Sequence, residues 1–275
     1  MDWSSSAWNL PDALVRCLLS PWTLGVVSLC AVAGVLEVLL RRRWARHFYR
    51  ACYFWPLGLL DAAERQFRLA ARWSYGSRQA AALVWVGLCQ QYQTEYAAAV
   101  ATFEPLMGRR LPHSMRVLHG TLPGYMALCL AMLGETRRAK RWLEEASRRL
   151  GRTATALILP EAVILCREGR FGAALKKLED GWSRLMSEGY MCHQARLFKA
   201  YARQGLDPER YQREFAPELL GLTPFSRKEL AFCDQYWPEL ADFMWAGEEL
   251  ARQRGKRNGW GKRKKGPPGP DETLH

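Results

Sequence analysis

Two patterns of apolar and polar positions divide this chain. Between Pro21 and Leu40 the sequence PWTLGVVSLCAVAGVLEVLL carries one charge, Glu37, in twenty residues. At about 1.5 Å per residue a helix of that run rises about 30 Å, apolar on every side and as long as a bilayer core is thick. From Arg41 onward apolar residues recur three and four apart, the spacing of amphipathic helices that bury one stripe. The pattern predicts an all-α chain: one N-terminal transmembrane helix, then a succession of helical hairpins.

The hairpins repeat. A small residue followed four positions later by an aromatic residue or leucine occurs at Ala63/Phe67, Ala99/Phe103, Ala139/Leu143 and Ala174/Leu178, with the alanines 36, 40 and 35 residues apart. Twelve residues before each alanine stands Ala51, Gly87, Ala127 or Ala162, and five before it stands Gly58, Thr94, Gly134 or Gly169. The two small residues are where the helices of one hairpin can approach closely. The residue between them ends the first helix in a left-handed cap, the conformation glycine adopts most easily.

Three stretches carry this pattern best: ALCLAMLGETRRAKRWLEEA (127 to 146), AVILCREGRFGAALKKLEDG (162 to 181) and GLCQQYQTEYAAAVATFEPL (87 to 106). In them the chain resembles the tetratricopeptide repeat family, over about residues 45 to 182. The family's early tryptophan is absent, its closing proline has no clear match, and extra residues near Met107 to Pro112 stretch the second spacing. The resemblance implies an α-solenoid of stacked hairpins whose first helices line a concave face. Terminal units of such arrays are atypical because one face meets water. Residues 194–204 are expected to start a fifth unit, and Ser226 with Glu229 forms a capping-box signature ahead of a helix to Tyr236. Pro238 is expected to open a last helix to about Gln253. The predicted organisation is a short extracytoplasmic segment (1–20), a spanning helix (21–40), a helical repeat domain (45–225), capping helices (226–253) and a disordered basic tail (254–275).

Charge sets the orientation. The net charge is +13, and five arginines, Arg41, Arg42, Arg43, Arg46 and Arg50, follow directly on the apolar run. Basic residues flanking a span stay on the cytoplasmic side, which predicts a single-pass protein of the cell (inner or plasma) membrane with its N-terminus outside. Trp22 and Trp44 bracket the run at the two headgroup levels, with Arg41, Arg42 and Arg43 between. A cleavable signal peptide would carry its positive charge before the apolar run and small residues after it, the reverse of the order here.

The composition offers little chemistry. None of the eight cysteines stands at C-x-x-C spacing, and the motifs of zinc proteases, phosphate-binding loops, serine hydrolases and dinucleotide-binding folds are absent. His113 and His119, six apart, fall on different faces of a helix. The expectation is a non-enzyme with no cofactor and no metal. A protein partner is expected instead, a peptide or helix held against the first helices near Arg116 and Arg167. The asparagines of a carboxylate clamp are missing from the array, since the chain has only Asn9 and Asn258. The last 25 residues hold eight basic side chains against Asp271 and Glu272, which suits anionic lipid at a membrane. With Trp260 that tail also suggests an alternative that ranks below the adaptor, a nucleic-acid-associated membrane factor.

Overall fold

A computed structural model describes residues 21–109, 111, 116–151, 153–187, 192–214 and 216–257. Among them the regular structure is helical throughout: α1 (Pro21–Phe54), α2 (Leu60–Arg72), α3 (Gly76–Tyr92), α4 (Tyr96–Phe103), α5 (Arg116–Met132), α6 (Thr136–Leu150), α7 (Thr155–Arg167), α8 (Phe171–Asp180), α9 (Trp182–Ser187), α10 (Cys192–Leu206), α11 (Pro208–Glu214), α12 (Ala216–Leu220), α13 (Arg227–Tyr236) and α14 (Pro238–Arg257). The chain divides into two compact units, residues 1–82 and 83–275, and the division falls inside α3.

The four expected turns share one geometry. Gly58, Thr94, Gly134 and Gly169 all sit in the left-handed region, with φ of 71°, 63°, 85° and 69°. In the third turn Gly134 N–H donates to Ala131 O (3.1 Å) and Glu135 N–H to Leu130 O (2.9 Å), a Schellman closure of the preceding helix. The same pair of bonds closes α1 through Gly58 and Leu59, α3 through Thr94 and Glu95, and α7 through Gly169 and Arg170. The residue after each left-handed position then accepts the N–H of the repeat alanine: Leu59 O from Ala63, Glu95 O from Ala99, Glu135 O from Ala139 and Arg170 O from Ala174. One backbone turn thus satisfies the end of one helix and the start of the next, whatever side chain follows the left-handed residue.

The small positions do what their spacing implies. Ala51, Ala63, Ala99, Ala127, Ala139, Ala162 and Ala174 are wholly buried, as are Phe67, Phe103 and Leu178, while Leu143 is half-buried. At Gly87 of α3 an added Cβ would lie 2.3 Å from the Phe103 ring of α4, so the ring occupies the space a side chain would need. In the second unit α5 packs on α6 and α7, α6 on α7, α7 on α8 and α10, and α8 on α10, the contacts of hairpins stacked in register.

Two prolines inside first helices open the backbone for packing. Pro123 in α5 has no N–H for the carbonyl of His119, and Arg149 from α6 donates to that oxygen instead (3.3 Å). Pro160 in α7 likewise has none for Ala156 O, which faces Gly124 of α5; a Cβ there would lie 3.2 Å from it.

At the C-terminal end Ser226 and Glu229 form the expected capping box: Glu229 N–H donates to Ser226 Oγ (3.1 Å) and Ser226 N–H to Glu229 Oε2 (2.8 Å). Pro238 opens α14, which continues to Arg257 rather than ending near Gln253. The stretch 254–257, expected as the start of a disordered tail, is therefore helical, and residues 258–275 with Trp260 lie outside the described residues, as do 1–20. Among the described residues no helix is long and apolar enough to cross a membrane. The part of α1 whose successive side chains are described up to the first arginine is 25–40, which at 1.5 Å per residue rises about 24 Å.

Candidate functional site

Two places were candidates for function: the first helices of the hairpins, and the apolar half of α1 with its arginine collar. The second unit contains α5 and α7. In α5 every residue from Leu122 to Met132 is buried, and in α7 Ala156 to Pro160 and Ala162 to Ile164 are buried too. Stacked hairpins cover only part of such a helix, and here the chain's own C-terminal elements cover the rest. Gln194 at the start of α10 reaches Tyr96 Oη of α4 (3.4 Å), and Phe232 of α13 packs on the same Tyr96 ring at 4.8 Å between centroids. Lys228 of α13 pairs with Glu95 (3.3 Å) in the turn before α4. Trp237, between α13 and α14, lies against Phe198 and Tyr201 of α10. A cavity of ≈ 20 Å³ among Tyr96, Met132, Phe198, Phe232, Cys233 and Leu240 is the space left there, enough for little more than one water-sized group.

Arg167, expected at the partner surface, is committed to this internal packing. Its Nε donates to Ala131 O (3.1 Å), Nη2 donates to Met132 O and to Tyr236 O (2.8 Å), and its guanidinium lies 3.8 Å from the Trp237 ring centroid. It therefore satisfies carbonyls at the ends of α5 and α13 and ties the C-terminal pair to the hairpins. Burial pulls its pKa down to about 10, still above neutral pH. Burial also pushes the thiols of Cys166 and Cys233 and the phenol of Tyr201 up to about 12, so these groups stay neutral. Arg116 begins α5, and its side chain lies outside the described residues.

The outward surface of the second unit is polar. On α6, Arg138 pairs with Glu135 (2.6 Å) and Glu104 (3.0 Å), and Arg148 and Arg149 share Glu145 at 2.5 and 2.7 Å. Of these, Glu104, Arg138, Glu145 and Arg148 edge an open cleft of ≈ 350 Å³ together with Arg141 and Trp142. Exposed pairs of this kind contribute about 0–1 kcal/mol each, so the network is a surface rather than a clamp. No group of three His, Cys, Asp or Glu side chains is placed to hold a metal ion among the described residues.

In the first unit α1 has two different halves. Its C-terminal half is seated on α2: Trp44 stacks on Phe48 at 4.8 Å, Phe48 meets Phe67 edge-on at 5.3 Å, and His47 Nδ1 lies 2.8 Å from Gln66 Oε1. Trp44, expected at a headgroup level, is thus turned into the body, with Nε1 buried and unbonded. The other half is bare. Val26, Val27, Leu29, Val32, Val35, Leu36, Val38 and Leu39 are each at least half exposed, and Trp22 is 85 % exposed. Arg41, Arg42 and Arg43 are exposed around the helix just beyond them.

Glu37, the one charge in the apolar run, is bound to the start of α3. Tyr75 Oη and Arg78 Nη2 both donate to its carboxylate, and the Arg43 guanidinium lies 4.4 Å from the Trp73 ring centroid. The Glu37 hydrogen bond raises the Tyr75 pKa. The partners of Glu37 are thus Tyr75 and Arg78, 38 and 41 residues away, rather than a neighbour on its own helix. The signal available was the polar-aromatic cluster Trp73 to Arg78, which breaks the periodicity between α2 and α3.

No protein-family model matches the chain, and the curated proteins contain no match to it.

Proposed function

We propose that this protein is a membrane-tethered helical-repeat scaffold, tetratricopeptide-like in its hairpins, that recruits a protein partner at a cell membrane. The observation that carries the reading is the bare apolar half of α1. Eight large apolar side chains of its first half stand exposed on all sides, which at about 25 cal/mol per Å² favours any environment that removes them from water. The arginine collar follows immediately, and the sequence from Pro21 supplies the twenty residues a span requires. With the collar on the cytoplasmic side, the hairpins lie in the cytoplasm.

The first helices are largely buried, α7 against α10 and the ends of α5 and α7 against α13 and α14, so the proposed partner surface is the outward face of α6. On α6 this surface offers Arg137, Arg138 and Arg141 beside the half-buried Trp142, a basic face with an aromatic residue that suits an acidic protein segment. The test is a crosslinking capture from membranes with the full chain, the chain lacking 21–40, and an Arg137→Glu/Arg141→Glu variant. The proposal expects the full chain to float with membranes and to hold a defined protein that the double variant loses at least tenfold. Capture unchanged by the charge reversal sinks the partner surface; a full chain that stays in the soluble fraction sinks the tether.

A further inference from the structure

The bare rod and the body of the first unit meet at one defined height, and that height has a consequence. Glu37 lies about one helical turn before Arg41, about 6 Å along the axis. Because Tyr75 and Arg78 both hold its carboxylate, the segment joining α2 to α3 is fixed beside α1 at the level of the last apolar turn, not above the collar. Tyr75 is nevertheless 61 % exposed, and Trp73 is half-buried under Arg43. Tyr75 and Arg78 thus hold a carboxylate that Arg41 also faces one turn on, while Arg43 lies over Trp73 and Arg42 stands exposed beside them.

We propose that the α2–α3 segment, Trp73 to Arg78, is a second lipid contact, set at headgroup depth by the Glu37 clasp, and that its ligand is the phosphate of an anionic phospholipid. This rests on α1 being a membrane tether. Rings with an apolar body and a polar edge settle at the headgroup level, as Trp73 and Tyr75 would there. The local charge is positive on balance, and an anionic leaflet complements it. The clasp has a further effect: it removes from the phosphate's surroundings the only negative charge on the rod, which would otherwise repel it. The chain is thereby held at two points around the helix, which fixes the rotation of the first unit about α1 as well as its depth.

The experiment uses the full chain in vesicles of phosphatidylcholine alone or with about a third phosphatidylglycerol, the latter doped with phosphatidylglycerol carrying a photoactivatable group on its headgroup. After illumination, labelled peptides are mapped and vesicles are floated. Peptides containing Trp73 to Arg78 and Arg41 to Arg43 are expected to label at least fivefold above the α6 peptide Thr136 to Leu150, an equally basic surface that serves as the control. Arg78→Gln should lower vesicle affinity about fivefold, the worth of one basic residue at an anionic leaflet. Tyr75→Phe, which removes the hydroxyl of the clasp and keeps the ring, should reduce labelling of 73–78 severalfold and leave Arg41 to Arg43 unchanged. Flotation with labelling of 41–43 but none of 73–78 above the control overturns the second contact and leaves the tether standing. Failure to float overturns both.

Discussion

The apolar half of α1 and the helices α5 and α7 are built from the same material, and they meet opposite fates. All three are apolar around most of their circumference, with no polar face for solvent. In α5 and α7 the second unit covers most of the circumference, using neighbouring hairpins and α10, with the C-terminal pair at their ends, so that Leu128, Leu130 and Leu159 are no more than 1 % exposed. In α1 the first unit covers one side of the collar end and, through Tyr75 and Arg78, the turn at Glu37, while the described residues before that turn stand bare, with Leu29 70 % exposed. An all-round apolar helix fixes the demand for cover but not its source. A soluble-core helix and a membrane helix differ in what surrounds them more than in their own sequence.

The comparison breaks most sharply under a buried charge. Leu159→Arg puts an unpaired guanidinium into the second unit's core and should cost more than about 4 kcal/mol, enough to unfold that unit, as seen by loss of its cooperative melting transition. Val32→Arg on the bare rod should leave melting unchanged and weaken membrane insertion by about 3 kcal/mol, read by vesicle flotation. Equal effects of the two on melting would show that the rod is covered by protein. Next comes the internal tie: Arg167→Met keeps the stem, abandons carbonyls at Ala131, Met132 and Tyr236, and should cost about 2–3 kcal/mol in urea denaturation. A loss below 0.5 kcal/mol would mean that α13 and α14 are seated without it.

Alkaline pH should loosen the second unit through its buried thiols. Cys166 and Cys233 hold their protons to about pH 12 when folded, against 9.0 for an exposed thiol. The stability this gives is full below pH 9 and falls as the pH rises toward 12, because only the unfolded chain ionises in that window. A melting temperature that drops above pH 9, with the two buried thiols alkylated only on unfolding, is the expected result. The smallest effect is at a turn: Thr94→Gly relieves a side chain at φ 63° and should stabilise by about 0.5–1 kcal/mol, a rise of a few degrees in melting temperature. A drop would show that the threonine hydroxyl earns its place.

Much of the hairpin architecture was legible because it is local. A left-handed residue, a small residue twelve before the repeat alanine and a bulky one four after it are all read within one unit, and each sits where its offset placed it. The helix-opening box at Ser226 was legible for the same reason. What escaped depends on pairings distant in sequence. That Lys228 meets Glu95 across 133 residues, that Arg167 faces Tyr236, and that α13 covers the side expected to receive a partner all follow from how the stack closes on itself. The pairing of Glu37 with Tyr75 and Arg78 spans 38 and 41 residues and lies outside any repeat offset. The inward turn of Trp44 follows from its place on the α2-facing side of α1, with Phe48 one turn on and Ala51 two turns on.

The four Schellman turns divide the chain into stiff and forgiving stretches. Within a hairpin the count from left-handed residue to alanine never varies, since both ends of the turn are bonded to each other's helices. Between hairpins the spacing ranges from 35 to 40 residues, and the surplus falls after Phe103, beyond the closed part of its unit. A reporter domain or affinity tag grafted near Gly108 would therefore extend a stretch the array already lengthens, whereas one extra residue between Gln91 and Ala99 would rotate every later contact of α4 by about 100°.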